Sequence, residues 1–129
     1  MKQVLRALVV TAFILVALNP SWAIDGKRLT ANMSGWANIW GIVFTAYQNA
    51  DNPHYPVNWD LIEKKVQEME QIQENVKKQV NQIASLDEIS ETRNILYYFK
   101  AMTVFEQNVR KEVGKMVDDR ERFLQAQQE

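Results

Sequence analysis

The chain has 129 residues, with 15 Lys and Arg against 16 Asp and Glu, so its formal net charge is −1. A surface that binds nucleic-acid phosphates needs a strong basic excess or a basic stripe, and this balance therefore argues against a nucleic-acid partner. The chain contains only 4 Gly and 3 Pro, which argues against a β-sandwich or a glycine-rich nucleotide-binding fold and favours long helices. The absence of Cys excludes disulfides, thiolate catalysis and Cys-ligated metals.

The first 23 residues have the pattern of a cleavable signal peptide. Lys2 and Arg6 form a basic start, residues 7–18 are apolar apart from one Thr, and small residues precede a cut after Ala23. A helix over that apolar run spans about 18 Å, which is too short for the hydrocarbon core of a membrane and makes an uncleaved anchor the weaker interpretation. Cleavage removes 23 of the 129 residues and leaves a single domain of 106, residues 24–129. We therefore expect a periplasmic or secreted protein.

An apolar stripe at helical spacing predicts a first helix over about residues 29–49. Bulky apolar side chains alternate at four and three residues along it: Leu29, Met33, Trp36, Trp40, Val43 and Tyr47. No charged residue occurs between Arg28 and Asp51. This aromatic-rich helix is therefore expected to be covered on more than one side.

Two prolines separate the first helix from a second one. Pro53 and Pro56 each remove a backbone donor and force extended geometry, so they predict a loop, after which Asn58 is an N-cap candidate. The second helix is predicted over residues 59–84. Its apolar positions form one narrow stripe, typical of a coiled-coil seam: Ile62, Val66, Met69, Ile72, Val76, Val80 and Ile83.

A capping-box pattern predicts where the third helix begins. Ser85 is followed three residues later by Glu88, which places a helix start at Leu86 and a helix over residues 86–125. The apolar face of this helix is expected to include Phe99, Met102 and Val109. Gly114 is the only Gly after residue 41. A break at that position is the alternative, and it would divide the segment into two shorter helices.

These elements predict an all-α protein with three to four helices in total. Helices of about 25 and 40 residues differ in length by roughly 20 Å, so part of the longer helix must overhang. We expect a long antiparallel helical hairpin, coiled-coil-like and closed near Ser85, with the aromatic-rich first helix packed on it. A break at Gly114 would instead give a four-helix up-and-down bundle. Slender helices bury little surface per residue, which favours an oligomer or an obligate partner.

Chemistry-bearing motifs are absent from the sequence. His54 is the single histidine and lies in the proline loop, so one chain cannot assemble a catalytic triad, a zinc site or a helix-borne haem ligand. There is no Glu-x-x-His pair, phosphate loop or nucleophile elbow. The acidic clusters are explained by helix capping and solvation. We predict no catalytic residue, no metal site and no cofactor, and hence no enzyme.

The aromatic side chains are the candidate partner-binding residues. An aromatic stripe at helical spacing usually builds a core, but a run this apolar exceeds what slender helices can cover, and the surplus would form a docking face. The candidates are Trp36, Trp40, Phe44 and Tyr47 on the first helix, and Tyr55 and Trp59 around the loop. The flanks lack clusters of Lys and Arg, so contact with a membrane is expected to be peripheral at most.

The resulting hypothesis is an exported, non-enzymatic helical interaction protein. It would act through its helix faces on one or more protein partners, as a component or accessory of a cell-envelope assembly such as a secretion or conjugation apparatus, with homo-oligomerisation left open. One alternative is a periplasmic chaperone or stress-type protein that holds unfolded clients. Another is an inhibitor or immunity protein of an exported enzyme.

Overall fold

A computed structural model describes residues 24–128, which form four helices and no strand. The predicted signal peptide, residues 1–23, lies outside the described residues. The helices are α1 (Gly26–Gln48), α2 (Trp59–Asn81), α3 (Leu86–Tyr98) and α4 (Val104–Gln127). The predicted all-α class is confirmed.

Side-chain caps define where the first three helices begin. The Asp25 carboxylate accepts hydrogen bonds from the Lys27 and Arg28 amides at 3.1 and 3.2 Å, which satisfies two free donors of α1. The Asn58 side chain caps α2 by accepting from Leu61 N. At the start of α3, Ser85 Oγ accepts from Glu88 N at 3.2 Å, and the Glu88 carboxylate accepts from Ala84 N at 2.6 Å. The sequence predicts the Asn58 and Ser85 caps correctly.

The predicted third helix, residues 86–125, is two helices in the structure. Phe99 has an extended backbone, with φ −64° and ψ 124°, and ends α3. Thr103 then starts α4 with a capping box, in which Thr103 Oγ1 accepts from Glu106 N and the Glu106 carboxylate accepts from Thr103 N. The break therefore lies at residues 99–103.

No break occurs at Gly114, the position that the alternative interpretation favours. Gly114 lies inside α4, between the fully buried Val113 and Val117. A glycine inside a helix costs only about 1 kcal/mol relative to alanine, and burying two valines on the same helix outweighs that cost. Four helices are present, as that alternative expects, but the third predicted helix is broken at residues 99–103 and not at Gly114.

The second helix packs mainly against α1. The Tyr47 and Trp59 rings lie 5.4 Å apart at one end of the pair, and at the other end Asn32 Nδ2 donates to Gln79 Oε1 at 3.1 Å. These contacts make α1 and α2 antiparallel. The expected hairpin between the second and third helices is not the main pairing, because α4, which contains most of the predicted third helix, packs more on α1 than on α2.

The core consists of two clusters that share α1 and α2. The larger is built around side chains with no exposed surface, contributed by α1, α2 and α4: Leu29, Met33, Val76, Val109, Val113 and Val117. The smaller cluster contains Ile39, Val43, Ala46 and Ile62 and lies towards the loop between α1 and α2. The predicted stripe on α1 therefore does face the core along its first five positions, with Trp40 only partly buried.

Candidate functional site

The six aromatic candidates divide between the core and the surface. Trp36 is only 4% exposed and belongs to the larger core cluster, so it offers almost no surface to a partner in this fold. Its Nε1 is buried and has no acceptor within the described part of the chain. Trp40 is half-buried and packs against Phe105, with ring centroids 6.2 Å apart. Both tryptophans therefore support the fold.

The other four candidates form an exposed surface at the loop between α1 and α2. Phe44, Tyr47, Tyr55 and Trp59 are each exposed over 43–61% of their surface, and we call this group the aromatic end. Phe44 and Tyr47 are three residues apart on α1 and therefore share one face, and Trp59 is the first residue of α2. Their position next to a helix terminus and a proline loop explains why neighbouring helices leave them uncovered.

A residue that the sequence analysis missed supports the aromatic end from α4. The rings of Phe44 and Phe105 meet edge to face, with centroids 5.4 Å apart. Phe105 also lines, with Tyr55, Ile42 and Gly41, a depression of about 570 Å³. Phe105 reaches this position because α4 starts at Val104. The signal in the sequence is the spacing of Thr103 and Glu106, which matches the same capping pattern that predicts the start of α3.

A second exposed apolar group lies where α3 ends and α4 begins. Tyr97 and Tyr98 are 77% and 78% exposed, and their rings meet edge to face at 5.2 Å. Met102, which the sequence places on the apolar face of a continuous third helix, is 84% exposed. That expectation is wrong because the chain leaves the helical path at Phe99, and the periodicity of the apolar residues no longer determines which side chains face inward.

A network of ion pairs joins α3 to α4. Arg93 donates to Glu121 at 2.7 and 3.0 Å and to Asp118 at 2.7 Å. The hydrogen bonds with Glu121, followed by those with Asp118, raise the pKa of Arg93, and the bonds from Arg93 hold the pKa of Glu121 below its usual value. All three side chains are substantially exposed, so these contacts form an ion-pair network on the surface that connects two helices. We call the three residues the Arg93 clamp.

The Arg93 clamp predicts how the free energy of unfolding depends on pH. Because the pKa of Glu121 is lower in the folded chain, the ion pair stabilises the fold above pH 4.5 and its contribution disappears as the pH falls below that value. Arg93→Met should therefore unfold more easily than wild type at pH 7, and the difference should shrink in urea titrations as the pH falls below 4.5. Arg122→Met is the matched control, since Arg122 pairs with Asp119 on its own helix. A difference that does not vary with pH would contradict the prediction.

The single histidine and the acidic side chains are the remaining groups whose chemistry suits metal binding. His54 lies exposed in the loop, where its amide donates to Asn52 Oδ1 at 2.9 Å. Across residues 24–128, no three His, Cys, Asp or Glu side chains are close enough together to hold a metal ion. Within the same range, none of the four helices combines the length and the hydropathy needed to cross a membrane.

Comparison with known proteins does not indicate a role for the aromatic end. No protein-family model, curated protein or solved structure matches the chain.

Proposed function

We propose that this protein is an exported helical interaction protein that docks a protein partner through the aromatic end, as a component or accessory of a cell-envelope assembly. The observation that carries the proposal is the cluster of exposed aromatic side chains there, with Tyr47 61% exposed and Trp59 43% exposed. Tyr and Trp are enriched among the residues that dominate binding energy at protein interfaces.

The rigidity of the aromatic end supports this role. Tyr47 and Trp59 contact each other, and Phe44 rests on Phe105, so three helices hold these rings in place before any partner arrives. A surface with ordered side chains loses less conformational entropy on binding than a flexible one, and more of its contact energy appears as affinity. Tyr55 extends the surface from the loop between α1 and α2.

Export is part of the proposal. The basic start, the apolar run and the small residues before Ala23 are typical of a signal peptide. The N-cap of α1 is Asp25, two residues beyond the predicted cut, so cleavage would leave the hydrogen bonds that start α1 intact. We place the mature protein in the periplasm or outside the cell.

We further propose that the protein acts by binding and catalyses no reaction. Perturbed pKa values cluster at catalytic sites when burial and a specific charge partner act together in a cleft. In the described part of the chain, the shifts belong to Arg93 and Glu121, which form a solvent-exposed ion pair between two helices. Their mutual contact accounts for both shifts.

The test is capture of a stoichiometric partner from an extract of the source organism. Immobilised wild-type protein should retain one partner, and Tyr47→Ser with Trp59→Ser should lose it, because removing aromatic anchors typically costs about 2 kcal/mol each, or roughly thirtyfold in affinity. Tyr97→Ser with Phe123→Ser is the matched control, since both side chains are exposed and neither belongs to the aromatic end. The control variant should still retain the partner.

Two results would overturn the proposal. One is retention of the same partner by the aromatic-end variant, which would place the docking surface elsewhere. The other is suppression of aggregation of several unrelated unfolded proteins with no stoichiometric partner, which would identify a chaperone that holds clients.

A further inference from the structure

The most exposed large apolar side chains of the described range all lie in one short stretch of chain. Tyr97, Tyr98, Met102 and Val104 are 65–84% exposed, more than any other large apolar side chain of residues 24–128. They surround the connection between α3 and α4, residues 99–103, which we call the hinge segment. Burial of large apolar side chains is favourable, so this concentration of exposed ones favours a surface that another chain covers.

The hinge segment is close to helical in both sequence and backbone geometry. Its sequence is Phe99-Lys100-Ala101-Met102-Thr103, without Gly or Pro, and Lys, Ala and Met are among the strongest helix formers. Phe99 has a helical φ of −64°, and its ψ of 124° alone turns the chain out of the helix. Within the described chain, the amides of residues 100–102 donate to no backbone carbonyl. A continuous helix would supply these hydrogen bonds.

Local contacts hold the hinge segment in its non-helical form within one chain. In the capping box, Thr103 Oγ1 accepts from Glu106 N and the Glu106 carboxylate accepts from Thr103 N. Such a cap makes a modest contribution to stability. A few added backbone hydrogen bonds, together with newly buried apolar side chains, are therefore enough to offset it.

The helix that a straightened hinge segment would displace is α4. It is joined to the other described helices only through the hinge segment, whereas α3 is also joined to α2 through residues 82–85. The fully buried Val109, Val113 and Val117 of α4 belong to the core that α1 and α2 share. If α3 and α4 formed one helix, these valines would leave their own α1 and α2. A second copy of the chain offers the same surface to receive them.

The polar contacts of α4 fit the same exchange. Within one chain, Arg120 Nε donates to Ile83 O at 2.8 Å, and Arg93 pairs with Asp118 and Glu121. When two chains exchange α4, each of these bonds forms again with its donor and acceptor on different chains. A reciprocal exchange therefore preserves the packing of α4 and adds contacts between two hinge segments.

We propose that two copies of this chain form a dimer by exchanging α4, with α3, the hinge segment and α4 joined into one helix over residues 86–127. The two hinge segments lie side by side near the two-fold axis, where Tyr97, Tyr98, Met102 and Val104 of both chains cover one another. The occupant is a second copy because the surface that receives α4 is the surface that α4 fills in a single chain. This inference goes beyond the proposed function and does not depend on it.

Refolding at different protein concentrations tests for the dimer. The full chain is unfolded in urea and refolded at low and at high concentration. Size-exclusion chromatography with light scattering should show monomers after dilute refolding and dimers after concentrated refolding. The two species should interconvert slowly, because the exchange must expose the fully buried valines of α4. Monomers at both concentrations would overturn the inference.

Engineered disulfides distinguish an exchanged dimer from an ordinary one. The chain has no Cys, and a Cβ added at Gly41 would lie 3.4 Å from the Phe105 ring, so Gly41→Cys with Phe105→Cys links α1 to α4. In an exchanged dimer this disulfide joins two chains and gives a covalent dimer on a non-reducing gel. A dimer in which it stays within each chain would contradict the exchange.

A second disulfide is the matched control for that result. A Cβ added at Gly26 would lie 3.2 Å from Ile95 Cδ1, so Gly26→Cys with Ile95→Cys links α1 to α3. Both helices remain in their own chain when α4 is exchanged. This disulfide should therefore stay within one chain in the monomer and in the dimer, and a covalent dimer formed through it would contradict the exchange of α4 alone.

Substitutions in the hinge segment test the continuous helix. Met102→Pro interrupts such a helix and should leave only monomers after concentrated refolding, while the Met102 amide has no backbone acceptor to lose within the described chain. Thr103→Ala removes the cap that favours the break and should raise the association constant of the dimer about tenfold. Ser90→Ala, exposed on α3 outside the hinge segment, should leave that constant unchanged. Wild-type dimerisation by Met102→Pro, or no change with Thr103→Ala, would overturn the inference.

Discussion

Replacing Trp36 with Ala is expected to lower the free energy of unfolding by about 3–5 kcal/mol, because the ring lies in the core and the neighbouring helices cannot fully close the cavity. Tyr47→Ala, on the same helix and the same predicted stripe, should change it by less than about 1 kcal/mol because its side chain is 61% exposed. Urea unfolding of both variants, followed by circular dichroism, measures the contrast.

The variant Trp36→Phe distinguishes the contribution of the apolar ring to stability from that of the buried Nε1 donor. The Nε1 donor is buried without an acceptor in the described residues, and a buried donor of this kind costs about 1–3 kcal/mol in the folded chain. Phe removes the donor and keeps most of the apolar contacts, so its loss of stability should be much smaller than that of Ala. A Phe variant as unstable as the Ala variant would indicate that Nε1 is hydrogen-bonded in solution. Equal effects of Trp36→Ala and Tyr47→Ala would contradict the assignment of Trp36 to the core.

The sequence predicts the helices well where local signals agree. The apolar spacing of α1, the loop with Pro53 and Pro56, and the caps at Asn58 and Ser85 depend on contacts within a few residues, and the structure contains all of them. The division between α3 and α4 was missed because apolar residues continue at helical spacing across it. The pattern of Thr103 and Glu106 was present in the sequence, but periodicity alone favours a continuous helix.

The candidate surface was predictable only in part. Helical spacing identifies Trp36 and Tyr47 as members of one stripe, but it contains no information about where the covering helices end. The loop after α1 and the start of α4 decide that Trp36 is enclosed and Tyr47 is not. The contact of Phe105 with Phe44 joins residues 61 positions apart and follows from the packing of α4 on α1, which no local pattern encodes.

Two methionines provide the sharpest test of the division between α3 and α4. Met33 has no exposed surface, and Met33→Ala should cost about 2–5 kcal/mol of unfolding free energy. Met102 is 84% exposed in the segment between α3 and α4, and Met102→Ala should change stability by no more than about 0.5 kcal/mol. A continuous helix over residues 86–125 would instead turn Met102 towards the core with Phe99 and Val109, its neighbours at helical spacing. The two variants remove the same atoms, so urea titrations compare burial alone, and a large loss at Met102 would show that the third helix is unbroken in solution.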